Sequence, residues 1–342
     1  MRIVLNKPAS WSAVLLSGAV TLFAATARAE ADSALIAAAK QEGQLTYYTT
    51  MTLSQSQKVV DRFEKKYPFI KTELFRTGGD PLLNKILTEH RGGRDAWDVT
   101  TGRGEMVLPL LDAKLITPYR SPEAKMIDQD LVDPESYWTA YYVNPYVLGY
   151  NTKLVKKDEV PKTYEQLLDP RWKGKKISLD DEAYGLMTGL IRAWGKEKAL
   201  AYFKKLAAQQ PVVQRGNTNR VQLTMAGEYY LIVAYAPTIQ RETSLGHPID
   251  WVALEPVAVQ VNPAMLAAHS PHPNAGKLFI DFLLSKEGQQ MLTGFRRIPV
   301  REDVDPDPAR LFRGYKRLVE NPEEYKNLNE TRKLYQQIFD LR

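Results

Sequence analysis

Hydrophobic and polar positions alternate in two different periods along residues 44–101. Residues 45–50 form a short run rich in Tyr and Thr, the composition of a strand. Val59, Val60, Phe63 and Tyr67 then recur at helical spacing until Pro68 ends them. Ser54 stands where an N-cap belongs, and Gln57 three residues on completes a capping box. Residues 70–76 predict the next strand. Asp80 as N-cap and Pro81 at the first helical position open a second helix, striped by Leu82, Leu83, Ile86 and Leu87 and stopped by Gly92-Gly93. Residues 97–101 predict a third strand. Strands alternating with helices of this length predict a doubly wound, mostly parallel sheet. Ligands of such sheets sit beyond the carboxyl ends of the strands. That rule selects residues 48–54, with Thr50 and Thr52, and residues 100–105, with Arg103, as candidate site loops. The same hydroxyls serve helix caps and turns.

The middle of the chain opens on an aromatic, β-branched run, residues 141–150, that predicts an extended segment. It leaves through Tyr150-Asn151-Thr152 into a charged loop broken by Pro161. A short helix follows, with Thr163 as N-cap and Gln166 at the capping-box spacing, ending before Asp169-Pro170. Residues 172–176 turn the chain into a strand at Ile177. The pattern then repeats: a strand, the acidic trio Asp180-Asp181-Glu182, helices over 183–194 and 196–208, and a strand at Val212-Val213. A polar turn over 214–219 carries Arg215 and precedes a helix ending at Gly227. Residues 229–235 predict a buried strand, and residues 251–261 a second extended crossing interrupted by Pro256. Asn274 caps a helix striped by Leu278, Phe279, Phe282 and Leu283. Residues 301–342 are charged and helix-prone and are expected to wrap onto the second lobe.

Residues 150–174 carry a specific pattern: Tyr150, Asn151, Thr152, Lys153 and Leu154, then Pro161, Thr163, Tyr164, Leu167, Leu168, Asp169, Pro170, Trp172, Lys173 and Gly174. This run resembles the crossover of periplasmic solute-binding proteins of ABC importers, in particular their iron(III)-type branch (extracellular solute-binding family 1). The helix from Asn274 to Gln289 and the segment Arg297-Ile298-Pro299-Val300 resemble the same family. The resemblance covers roughly residues 44–300. It implies an α/β fold of two lobes, each a doubly wound, mostly parallel sheet flanked by helices, joined by two crossing hinge strands that let the lobes close on a ligand. The expected division is a signal peptide at 1–29, a first lobe from 30–140 plus 257–305, and a second lobe from 141–256 plus 306–342.

Composition narrows this further. The 342-residue chain is long enough for two sizeable cores, and it has no cysteine, which excludes disulfides and thiolate chemistry. Arg2 and Lys7 precede an apolar run over 13–25, and Ala27-Arg28-Ala29 supplies small residues for cleavage before Glu30. The chain is therefore expected in the periplasm. Losing Arg2, Lys7 and Arg28 takes the formal charge from +6 to +3, as 43 basic against 40 acidic residues. That mild, interspersed balance does not fit a nucleic-acid binder. The expected partners are a small-molecule or ion ligand and an inner-membrane ABC permease, and the protein is expected to be a monomer.

Catalytic signatures such as G-x-S-x-G, H-E-x-x-H or a Walker A loop are missing, so no enzyme activity is expected. An exported enzyme on the same fold is the alternative of another class. His269 and His272 sit in a Pro-broken loop with no carboxylate nearby in sequence, and His90 and His247 read as structural. Ferric members of the resembled family hold their metal with a histidine, a glutamate and two adjacent tyrosines. Those positions fall here on Thr52, Arg103 and the pair Ala234-Tyr235, so Tyr235 alone survives. No cofactor is expected, and ferric iron with a bound anion remains the alternative cargo, with Tyr235 as its ligand. Arg103 in place of a carboxylate suits an anionic ligand. Arg215 could add a second contact. Where the family holds its anion, this chain has Glu182-Ala183-Tyr184. The expected ligand is thus a small organic anion or zwitterion, with Arg103 on its acidic end and Asp181 or Glu182 on its basic end.

Overall fold

The computed structural model describes residues 33–341, so the leader and the cleavage site expected before Glu30 lie outside the described residues. Helix α1 (residues 33–42) leads into β1 (Gln44–Thr49), α2 (Leu53–Lys66), β2 (Lys71–Arg76), α3 (Gly79–Arg91) and β3 (Val99–Thr101). Then come α4 (Val107–Asp112), β4 (Ile116–Thr117) and the long strand β5 (Thr139–Asn151). Beyond it lie β6 (Ile177–Leu179), α5 (Tyr184–Trp194), α6 (Lys196–Ala207), β7 (Val212–Val213), α7 (Asn217–Ala226), β8 (Leu231–Tyr235), α8 (Ala236–Ser244) and β9 (Ile249–Val252). Strand β10 (Val257–Ala267) returns to α9 (Pro273–Leu284), α10 (Lys286–Gly294) and β11 (Ile298–Pro299). Strand β12 (Arg317–Val319) and α11 (Leu328–Phe339) close the chain.

The expected two-lobe α/β architecture is present. The strands run in the order β2-β1-β3-β10-β5 through the first lobe and β5-β8-β6-β7 through the second. Within the lobes β1 is parallel to β2 and β3, and β6 is parallel to β7 and β8. The shared strands are antiparallel to each other and to β3, β4, β8, β9 and β11, while β10 is parallel to β12. Strand β5 pairs through residues 139–145 with β10, and through residues 146–151 with β8 and β9. The pairings therefore change hands between Pro145 and Tyr146. This is later than the lobe limit expected at 140/141, because Ala140, Tyr142 and Val143 still pair with β10. All residues of β5 and β10 are buried, which explains why they read as continuous apolar-aromatic runs.

Helix α2 buries Val59, Val60 and Phe63 as its stripe predicts, but its N-cap is Thr52 and Ser54 lies inside the first turn. Ser56 Oγ donates to Thr52 O at 3.0 Å, tightening that turn. Helix α3 starts at Gly79, one residue before the expected Asp80 cap; Asp80 pairs instead with Arg332 of α11. The helix expected after Thr163 is a single 3-10 turn, Glu165–Leu168. Half of the box forms there, Gln166 N donating to Thr163 Oγ1, while Gln166 Oε1 accepts from Lys162 N and not from Thr163 N; Pro170 stops propagation. Helix α9 begins at Pro273, not Asn274, whose amide and side chain donate to Glu42. Strand β8 starts at Leu231, leaving Tyr229 and Tyr230 ahead of it. In the tail, Tyr335 of α11 is buried and lies edge-on to Tyr184 of α5 and Phe203 of α6.

Candidate functional site

The carboxyl ends of β1, β2 and β3 in the first lobe face those of β6, β7 and β8 in the second across a cavity of about 370 Å³. The sheet rule therefore holds for both lobes. Of the residues selected from sequence, Thr50, Thr52, Arg103, Glu182, Arg215 and Tyr235 all line this cavity. Asp181 does not; it lies behind Glu182 against Arg215 Nε at 3.4 Å. Helices α2, α3, α7 and α8 begin at or beside the cavity wall, at Thr52, Gly78, Gly216 and Tyr235. Each turns its positive end toward the cleft region.

Arg103 is held in the first lobe by two glycines. A Cβ on Gly79 would come within 3.0 Å of Arg103 Cδ, so the bare helix start of α3 leaves the side chain its path. A Cβ on Gly104 would come within 2.1 Å of Glu320 Oε1, a carboxylate buried behind the loop and bonded by Val261 N at 3.1 Å. So placed, Arg103 Nη1 reaches Glu182 Oε2 of the second lobe at 2.8 Å, with Glu105 at 3.5 Å. Arg215 Nη2 meets the other Glu182 oxygen at 2.8 Å. The expected arginines and acid have thus come together, but on one another. Burial pushes the Glu182 carboxyl up to about 7, against the pull of Arg103 and Arg215. Its carboxyl therefore takes up a proton more readily than an ordinary glutamate.

The acidic trio divides its labour. Asp180 is buried and pairs with Arg220 Nη2 at 2.9 Å; Arg220 is itself fully buried and donates to Val233 O at 3.0 Å. Asp180 also accepts from Glu182 N at 3.1 Å, so the ion pair fixes the turn that carries Glu182. Tyr335 of the tail donates to Asp180 O at 2.6 Å.

Sequence reasoning missed a further set. Arg76 and Arg297 line the cavity, as do Tyr142 and Asn144 of β5 and Gln260 and Asn262 of β10. The strand residues stand two apart on facing strands, Asn144 opposite Gln260 and Tyr142 opposite Asn262. Their inward direction follows from the period of two. The signal available was the amides inside otherwise apolar strands.

Tyr235 donates to Gln260 Oε1 at 2.8 Å and stands 3.3 Å from the Tyr146 hydroxyl. Burial, partly offset by Arg103, holds its phenol well above the ordinary range. His272 does have a carboxylate: its Nδ1 lies 3.0 Å from Asp98, which the sequence hid because the two are far apart in the chain. His90 pairs with Asp95 and His247 with Glu242. Among the described residues no group of three His, Cys, Asp or Glu side chains is disposed to hold a metal.

The sequence model described as "Bacterial extracellular solute-binding protein" matches residues 100–318. An uncharacterised protein of Haemophilus influenzae is 25% identical over 285 residues, covering 80% of this chain and 82% of that one. Iron uptake protein A1 of Synechocystis is 26% identical over 251 residues, with 65% and 66% covered. Among solved structures, iron-bound HitA of Pseudomonas aeruginosa superposes with a TM-score of 0.76 at 20% identity, over 86% of this chain and 99% of that one. AfuA of Actinobacillus pleuropneumoniae, with fructose-6-phosphate bound, gives 0.76 at 22% identity, over 88% and 99%.

Proposed function

The chain belongs to the bacterial extracellular solute-binding proteins, and on that premise we propose that its cargo is a small organic anion or zwitterion, closed between the lobes and delivered from the periplasm to an ABC permease. One observation carries the choice of cargo: Arg76, Arg103, Arg215 and Arg297 line the cavity against Glu182 as its one carboxylate, among the described residues. With Glu182 ionised the wall still carries an excess of positive charge, reinforced by the helix starts. Glu182, shared by Arg103 and Arg215, is the group an ammonium on the ligand would meet, while Asp181 steadies Arg215 from outside. Thr50 and Thr52 offer hydroxyls to the polar rim of the solute. AfuA, which shares this fold, has been crystallised with a sugar phosphate. The chain's own role is capture and release, with no catalytic step assigned.

Native mass spectrometry on protein purified gently from periplasm, with metal analysis of the same sample, tests the reading. An added organic mass without iron is expected. Stoichiometric iron would overturn it in favour of a ferric carrier. The observation behind that second reading is the phenol pair of Tyr146 and Tyr235, with iron-related relatives alongside. Burial and the hydrogen bond to Gln260 hold Tyr235 as a neutral phenol, and Arg103 stands near enough to oppose a trivalent cation.

A further inference from the structure

The cleft holds two sorts of arginine. Arg103 and Arg215 meet carboxylates, whereas Arg76 and Arg297 enter no ion pair among the described residues. Each of the latter makes its side-chain hydrogen bond through Nε, among the described residues. Arg76 Nε donates to Met51 O at 3.1 Å, and Arg297 Nε donates to Gln55 Oε1 at 2.7 Å. Met51 and Gln55 bracket Thr52 at the start of α2, so both guanidinium groups are tethered beside the positive end of that helix. The Arg297 guanidinium carbon lies 4.4 Å from the centre of the Tyr142 ring, a cation–π contact that adds to its restraint. The η nitrogens of both arginines make no hydrogen bond among the described residues and remain at the cavity wall.

Two further polar atoms lack partners in the same wall. Thr52 Oγ1 and Asn262 Nδ2 are buried and unbonded, and Asn262 is only 2% exposed. A buried amide donor left unmade is costly, and here it awaits an acceptor from outside the chain. We propose that Arg76, Arg297, Thr52 and Asn262 form an oxyanion seat on the first lobe that takes the dianionic tetrahedral group of the solute, a phosphate monoester or a phosphonate. The stoichiometry selects this class. Two unpaired guanidinium charges balance two negative charges, and two forks plus an amide and a hydroxyl exceed what the two oxygens of a carboxylate can accept. The seat lies on the opposite side of the cleft from Glu182, so the remainder of the solute extends toward the second lobe. This assignment rests on the reading of the cleft as an anion site and refines it.

The test is isothermal titration of the mature protein with inorganic phosphate and with methylphosphonate at low salt, alongside acetate. Both tetrahedral probes are expected to bind and acetate not to. Losing one charge-assisted fork, in R76Q or R297Q, is expected to weaken both probes by about ten- to a hundredfold. Arg76 is solvent-exposed at a strand end with one main-chain contact, so R76Q decides the matter even where R297Q fails to fold. Binding of the probes unchanged in R76Q overturns the seat. No binding of either probe at millimolar concentration, with an organic solute still found by native mass spectrometry, overturns the seat while leaving the anion reading intact. Phosphatase treatment and phosphorus analysis of the co-purified solute separate the two sources: release of phosphate marks an ester and a resistant solute that contains phosphorus marks a phosphonate, either supporting the seat, and a solute without phosphorus overturns it.

Discussion

Replacing Arg220 by methionine should unfold the second lobe's site before it unfolds anything else. Arg220 is fully buried and makes three contacts: to Asp180 at 2.9 Å, to Val233 O at 3.0 Å and to Asn217 Oδ1 at 3.1 Å. Methionine fills much of the volume and supplies none of the donors. Asp180, only 4% exposed, would keep its neutral donors from Glu182 N and Asn217 Nδ2 but lose its countercharge. Removing one partner of a buried pair costs about 3–5 kcal/mol, because the surviving charge stays desolvated. A protein of ordinary stability, about 5–15 kcal/mol, would lose a large part of its margin. The assay is urea denaturation followed by far-UV circular dichroism, comparing R220M with wild type. The double variant D180N/R220M supplies the control: with no orphaned charge it should recover at least half of the loss. A loss below about 1 kcal/mol in R220M would refute the argument that this pair holds the turn carrying Glu182.

Two further outcomes follow from the geometry around Arg103. With its carboxyl raised from the ordinary 4.5 to about 7 by burial, Glu182 contributes stability that is fully present below 4.5 and lost as the pH rises through about 7. Thermal melts of wild type between pH 5 and 8 should therefore decline more steeply than those of E182Q; parallel profiles would remove the proposed titration. In G104A the new methyl would stand 2.1 Å from Glu320 Oε1, so the buried carboxylate must move, at a cost of about 1–3 kcal/mol in denaturant melts. A variant that melts with wild type would show that the loop yields freely.

The alternation of elements was legible because proline and glycine punctuate it: Pro68, Gly92-Gly93 and Gly227 each end the helix that the stripe predicts. Helix starts were less so. Ser54 satisfies the capping pattern as well as Thr52 does, and the choice is made by where β1 hands over, which is tertiary information. Topology alone gave the loops over 48–54 and 100–105, with Arg103; Glu182 and Tyr235 came from the family resemblance, and all three line one cavity. Topology could not say that Arg103 and Glu182 would meet each other, since they belong to different lobes. Arg76 and Arg297 were passed over because a charged residue ending a strand or following a helix ordinarily points to solvent. Only the fold brings residues so distant in the chain to the start of one helix.

The two strands common to both lobes have a consequence for the order in which the protein can mature as it is made. Strand β10 lies between β3 and β5, yet it follows β6, β7, β8 and β9 in the chain and emerges only after them. Until residues 257–267 emerge, β3 and the first half of β5 have unfilled edges, with the hazard that unpaired edges carry. The middle of the polypeptide can pair its own strands first, but its core still waits for Tyr335 of α11. A chain interrupted before residue 257 would contain every first-lobe strand from β1 to β4 and still be unable to assemble them around their centre.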